Sequence, residues 1–384
     1  MIDILGFMKP SFRWPRLMVA ISTVLFFVAC KEDWSSRIGA RSLYKSVLSP
    51  FPAYPVEQFR NTLSLDPPSF SFVVLGGTCF ERGNLTAADA STVYDRVVSK
   101  ISTMTPLPRF IFHVGDIASG AGDREAWKLW IRKSCPFQVP EDERGLLDPR
   151  KVHLLTLPGD RDLLSKDEEE AFLRQFPFGT SRIYYSFDLG GFHFVALNSE
   201  TVDQGPLMRW FGWNRYRNRI TDEQLAWLKG DLESNKNKPI VVFVHKPLFP
   251  PVFSRHEGYC LDQYYFDRER LLRLFNQYSV KAVFSGHEPI FYCSEIEGVL
   301  HFISSGAGRE TSRYRALGGF HHFLYVAVHG QDRMVVYAID VETDSVEFEG
   351  AVGIGSRAGN LVKEKGRIRH PNLPPEKQFR QNAL

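Results

Sequence analysis

Apolar positions along residues 70–350 fall into short runs separated by glycine and polar residues. The stretches 70–75, 109–113, 151–157, 183–188, 192–198, 239–244, 280–284, 299–304, 322–329 and 333–340 are continuous or alternating apolar segments rich in β-branched and aromatic residues, the pattern of buried or half-buried strands. Between several of them the period lengthens to that of a helix. Val93, Val97 and Ile101 within 86–103, and Leu225, Leu228 and Leu232 within 221–233, share one face, and 123–134 and 267–278 read the same way. Strands alternating with helices, followed by hairpin-like strands, predict an α/β (mixed α+β) domain: a two-layer β-sandwich of mixed sheets flanked by helices, over 69–350.

The ends of that domain read differently. Residues 31–68 are rich in Ser, Pro and aromatic residues without a clear period and are expected to act as a tether over 30–68. Residues 351–384 are expected to form a basic, flexible tail, since 357–384 holds seven Lys or Arg against two Glu. At the start, Lys9, Arg13 and Arg16 precede an apolar run from Leu17 to Ala29, directly followed by Cys30. Thirteen residues are too few to span a bilayer comfortably. A basic segment, a short apolar segment and a small residue before the cut form an export signal over 1–29. Phe27-Val28-Ala29-Cys30 resembles a bacterial lipobox, in which Cys30 is the lipidation site. The expectation is an exported, lipid-anchored protein on the periplasmic side of a bacterial membrane.

Composition narrows the chemistry. Lys and Arg total 47 against 44 Asp and Glu, a net charge of +3, so bulk charge gives no reason to expect nucleic-acid binding. Cys79, Cys135, Cys260 and Cys293 could form up to two disulfides in an oxidising compartment, and three pairings are open.

Five predicted strands end in glycine with polar residues or in histidine: Gly76-Gly77-Thr78-Cys79, Gly115-Asp116, Gly159-Asp160-Arg161-Asp162, His245-Lys246-Pro247 and Gly286-His287-Glu288-Pro289. A glycine lets the chain turn sharply after a strand, so the next side chain can point at a common centre. Aspartate and histidine are donors that a divalent cation accepts. His113 and His193 fall inside predicted strands and read as core histidines. Lys246 is expected to point away from its neighbour His245, because successive side chains alternate along a strand.

These motifs, with Tyr184-Tyr185-Ser186-Phe187-Asp188, His193–Asn198 and Thr221–Leu228 between them, resemble the calcineurin-like metallophosphoesterases, most closely the purple-acid-phosphatase-like members, over about 70–308. The resemblance implies a phosphoester hydrolase with two cations. The family positions for the first cation correspond here to Gly77, Cys79, Asp116 and Pro289, of which three have lost their usual ligand. Those for the second correspond to Asp116, Asp160, His245 and His287, all able to ligate. The resemblance therefore implies one divalent ion (Zn, Mn or Fe) held by these four residues. Arg161 replaces the histidine of the third motif. It cannot donate a proton at neutral pH, but it can grip phosphate oxygens and supply positive charge where the first cation would sit. Arg161 and Asp116 are the expected catalytic residues, with Arg161 also binding substrate.

The function implied is metal-dependent hydrolysis of a phosphomonoester or phosphodiester, the partner being a phosphorylated small molecule or other phosphoester, with the membrane reached through the lipid anchor. The alternative is a silent member of the fold that binds a phosphorylated ligand or a partner protein. The Arg-rich aromatic stretch 209–219 could lie beside the site or plug the surface near it, and His256 falls in a loop after the lone histidine.

Overall fold

The computed structural model describes residues 45–46, 53–80, 88–120, 122–139, 151–163, 165–177, 182–202, 216–251, 254, 259–263, 265–331 and 333–353. The export signal, Cys30, the basic tail beyond Gly353, His256 and most of 209–219 lie outside them; residues 351–353 of the expected tail instead end the strand Ser345–Gly353, paired with Arg333–Asp340. No helix among the described residues is long and apolar enough to cross a membrane.

Two seven-stranded sheets carry the domain. In the first, the spatial order is Lys45–Ser46, Phe291–Ile296, Val299–Ser304, Val280–Ser285, Ile240–Val244, Phe192–Leu197 and Tyr185–Leu189. In the second it is Tyr54–Pro55, Ser345–Gly353, Arg333–Asp340, His322–His329, Phe70–Leu75, Phe110–His113 and His153–Thr156. Both sheets are mixed. Phe70–Leu75, Phe110–His113 and His153–Thr156 run parallel to one another, as do Phe192–Leu197, Ile240–Val244, Val280–Ser285 and Val299–Ser304. Their outer neighbours, such as His322–His329 and Tyr185–Leu189, are antiparallel. The parallel strands are buried along their whole length, as strands covered on both faces must be.

Phenylalanine joins the two layers. The rings of Phe112 from the second sheet and Phe243 from the first stack with centroids 3.8 Å apart and planes 7° apart. Phe72 stands edge-on to Phe194, Phe243 and Phe284 across the same interface. Such pairs contribute about 0.5–1.5 kcal/mol each beyond their area burial.

Helices Ala88–Ser102, Arg124–Lys133, Lys166–Gln175, Asp222–Ser234 and Tyr265–Gln277 accompany the parallel strands. Local chemistry sets several of their starts. Asp123 accepts hydrogen bonds from Glu125 N and Ala126 N, Ser165 Oγ from Glu168 N, and Thr221 Oγ1 from Gln224 N, each satisfying an otherwise orphaned first-turn amide.

Within the stretch expected as a tether, Tyr54–Pro55 joins the second sheet and Val56–Leu65 forms a helix. The reason is a short apolar face: Val56, Phe59 and Leu63 are buried, and the Phe59 ring packs on Tyr325 and Tyr337 at 5.4 and 4.7 Å. The folded body therefore begins at least fifteen residues before the expected boundary at 69, by Tyr54.

Candidate metal centre

The parallel arrangement brings the C-terminal ends of strands from both sheets to one edge. Asp116 follows Phe110–His113, Asp160 follows His153–Thr156, His245 directly follows Ile240–Val244, and His287 follows Val280–Ser285. Donor atoms of all four lie within 4.8 Å of one another. Asp160 Oδ1 lies 3.1 Å from His245 Nε2 and 3.0 Å from His287 Nδ1, and Asp116 Oδ1 lies 3.4 Å from His245 Nε2.

Backbone conformation makes this convergence possible. Asp116 and His287 have φ of 62° and 66°, in the left-handed region that costs a residue with a side chain about 1–2 kcal/mol. The neighbouring glycines leave room. A Cβ on Gly159 would stand 2.3 Å from Asp116 Oδ1, and one on Gly115 would stand 2.5 Å from His245 Nδ1. Asp162 ties the two loops together: its carboxylate accepts from Ile117 N, Ala118 N, Gly159 N and Trp127 Nε1 at 2.8–3.2 Å. Its burial and the nearby Asp116 raise its pKa to about 6, against the pull of those amides.

The donor set fits a divalent cation. His245 Nδ1 is 2.7 Å from the carbonyl of Val114, which can only accept, so Nδ1 carries the hydrogen and Nε2 turns its lone pair toward two carboxylates. That arrangement demands a proton or a cation at Nε2. Burial alone would lower the His245 pKa, but Asp116, Asp160 and Glu200 outweigh it and raise it to about 9. Burial pushes the Asp160 carboxyl up, and the hydrogen bonds from His245 and His287 overcome this and hold it well below the usual carboxylate range. Two carboxylates and two imidazoles suit Zn, Mn or Fe.

The positions on the other side of Asp116 look different. Gly77 offers no side chain. Cys79 is buried with φ 48°, and burial together with Asp116 pushes its thiol well above the usual range, so it remains protonated. The space is taken by Arg309, whose Nη1 lies 3.3 Å from Asp116 Oδ2 and donates to the carbonyl of His287 at 3.3 Å. Arg161 Nε is farther from the same oxygen, 3.7 Å, and its side chain is 42% exposed against 16% for Arg309. Both guanidinium groups thus stand beside Asp116, Arg309 being the nearer and better buried and absent from the residues singled out in the sequence. Arg161 remains at the rim, where its backbone N–H also donates to Asp116 Oδ1 at 3.2 Å.

Other residues find quieter places. His113 is fully buried, its pKa lowered to about 3 by burial, with Nδ1 accepting from Gly115 N and Nε2 3.2 Å from Thr78 Oγ1. His193 lies between Asp188 and Asp231, 2.8 Å from each, on a different part of the first sheet. Lys246, expected to point away from its neighbour His245, is buried with Nζ 3.3 Å from Glu200; burial lowers its pKa, but Glu200 and Asp160 outweigh this and the net shift is upward. Cys260, His287 and Glu288 form a second close group that shares His287. Cys79, Cys135, Cys260 and Cys293 are not paired with one another, so none of the three possible pairings is present.

The family model for calcineurin-like phosphoesterases matches residues 87–291. That span contains Asp116, Asp160, His245 and His287 and leaves out both the 76–79 loop and Arg309. Human serine/threonine-protein phosphatase CPPED1 is 24% identical over 278 residues, covering 71% of this chain and 78% of its own length. Purple acid phosphatase 23 of Arabidopsis thaliana is 34% identical over 107 residues, 28% of this chain and 20% of that protein. Among solved structures, purple acid phosphatase PPD1 from yellow lupin superposes with a TM-score of 0.52 at 12% identity, covering 74% of this chain and 53% of the other, a likeness of fold.

Proposed function

Since this chain belongs to the calcineurin-like phosphoesterase family and is therefore a metal-dependent phosphoester hydrolase, we propose that it works with a single divalent cation held by Asp116, Asp160, His245 and His287. The observation that carries this reading is the shared oxygen of Asp160, within 3.1 Å of two imidazole nitrogens, with Asp116 closing the group. A bound divalent cation would supply Lewis-acid polarisation of a phosphoryl oxygen and activation of water. The chain's own groups do the rest. Asp116 holds one oxygen toward the imidazoles and the other toward the guanidinium groups. Arg161, at the rim and half in solvent, is placed to meet an arriving phosphoryl group with paired N–H donors, and at neutral pH it gives no proton to a leaving group.

The export signal over 1–29, lipidation at Cys30 and residence on the periplasmic side of a bacterial membrane complete the proposal. They are supported by the run of basic residues, apolar residues and Cys30 in the sequence.

Chromogenic phosphomonoester and phosphodiester substrates, assayed with Mn, Zn or Fe beside His245→Ala, test the reading. Wild-type turnover that falls about 100-fold or more in the variant is expected from the loss of a principal electrostatic group. Equal rates in the two proteins would contradict it. No turnover by wild type with any of these metals would favour the alternative of a silent member that only binds a phosphorylated ligand or a partner.

A further inference from the structure

We infer that Arg309 is a built-in cation of this site, a substrate-binding residue that works with Arg161 as a two-guanidinium clamp for the phosphoryl oxygens. The inference deepens the one-cation reading and rests on it.

Gly77 makes the room that Arg309 fills. A Cβ there would stand 2.3 Å from Ser305 Oγ and 2.9 Å from Arg309 Cδ, so the Arg309 side chain fills space that any larger residue at 77 would claim. The chain fixes this fit: Arg309 N donates to Gly77 O at 2.8 Å, and Ala307 N donates to Gly76 O at 3.1 Å. Arg309 is thereby laid across the mouth of the loop with Nη1 on Asp116 Oδ2 and on the His287 carbonyl.

Both of these bonds use one nitrogen. A guanidinium has five N–H donors in a fixed fork, and among the described residues Nε and Nη2 of Arg309 have no hydrogen-bond partner. Arg161 approaches the same Asp116 oxygen from the rim. Two guanidinium groups therefore flank one carboxylate oxygen, whose twin faces the imidazoles. Arg161 and Arg309 thus set two guanidinium groups beside Asp116, with donors of Arg309 still open. A phosphoryl group, with several charged oxygens and a need for paired donors, is the ligand chemistry that fits those open donors.

A cation used for substrate and a residue used only for packing give opposite signatures. The probes are Mn(II) titrated into chelator-treated full-length protein, and inorganic phosphate titrated into metal-free and Mn-loaded protein. In Arg309→Ala, loss of a positive neighbour should leave Mn(II) affinity equal or tighter, while phosphate affinity falls about 10-fold or more, the effect of removing a charge-assisted hydrogen bond. Arg309→Lys, which keeps charge without the fork, should keep Mn(II) affinity and lie between the two for phosphate. It also serves if the alanine variant fails to fold. Phosphate affinity within twofold of wild type in both variants, or parallel loss of Mn(II) and phosphate binding in Arg309→Lys, would overturn the inference. The wild-type Mn(II) count separates the two levels. Two equivalents would sink the one-cation reading and this inference with it, whereas one equivalent with phosphate affinity unmoved would sink the role of Arg309 alone.

Discussion

Arg309 and Gly77 occupy one space between them: the Arg309 Cδ stands 2.9 Å from where a Cβ on Gly77 would be, and the Arg309 amide is bonded to the Gly77 carbonyl. Gly77 also has φ 67°, a conformation that disfavours any side chain. Gly77→Ala is expected to destabilise the protein by about 1–3 kcal/mol, through backbone strain and contact with Ser305, and to weaken phosphate binding by displacing Arg309. Chemical denaturation and phosphate titration of the same preparation check both parts.

Asp162 supports the site without joining it. Replacing it with alanine leaves the amides of Ile117, Ala118 and Gly159 and the Trp127 indole without their acceptor in a buried position. Asp162→Ala should cost about 3 kcal/mol or more, each unsatisfied buried donor costing about 1–3 kcal/mol before relaxation. Urea unfolding measures the loss, and the loops bearing Asp116 and Asp160 should lose protection from hydrogen exchange first.

His193 gives a pH-dependent contribution. Burial lowers its pKa, but Asp231 and Asp188 outweigh it, and the net shift is upward. A histidine whose folded pKa lies above its unfolded value near 6.5 stabilises fully below that value and loses the contribution as pH rises through the folded pKa. The stability gap between wild type and His193→Gln, about 1.5–3 kcal/mol for bonds to a charged group, should be widest at pH 5–6 and shrink in alkaline buffer. Thermal melts across pH check it, and a gap that widens with pH would contradict the assignment.

Phe243 is the stacking partner that joins the sheets. Phe243→Ala should destabilise by about 3–5 kcal/mol, and because residue 243 lies two positions before His245, the cavity should loosen the site as well. Denaturation read by tryptophan fluorescence tests the first part, and Mn(II) affinity the second.

The four clustered donors were legible because each sits just past an apolar run, most behind a glycine, which is how a strand end announces a turned-out side chain. Arg309 was not. It lies five residues beyond Val299–Ser304, in a polar loop that also holds Arg313 and Arg315, and nothing local distinguishes one arginine from the next. The only hint was a hole: glycine where a ligand was expected implies that something else fills the volume. The helix Val56–Leu65 was hidden for a similar reason. Its three-residue apolar face is short and set among Ser and Pro, and what makes it helical is the aromatic pocket of Tyr325 and Tyr337, almost three hundred residues away. Ser345–Gly353 does show period-two alternation, with Val346, Phe348 and Val352 buried, but its polar partners are glutamates, which are depleted in strands. Strand order within each sheet depends on long-range pairing and carried no local signal.

The central claim is the single-cation cage, and elemental analysis of metal in purified wild-type protein beside His245→Ala addresses it most directly. Close to one equivalent of Zn, Mn or Fe is expected in wild type and nearly none in the variant. Two equivalents in wild type, none, or an occupancy unchanged by loss of His245 would contradict it.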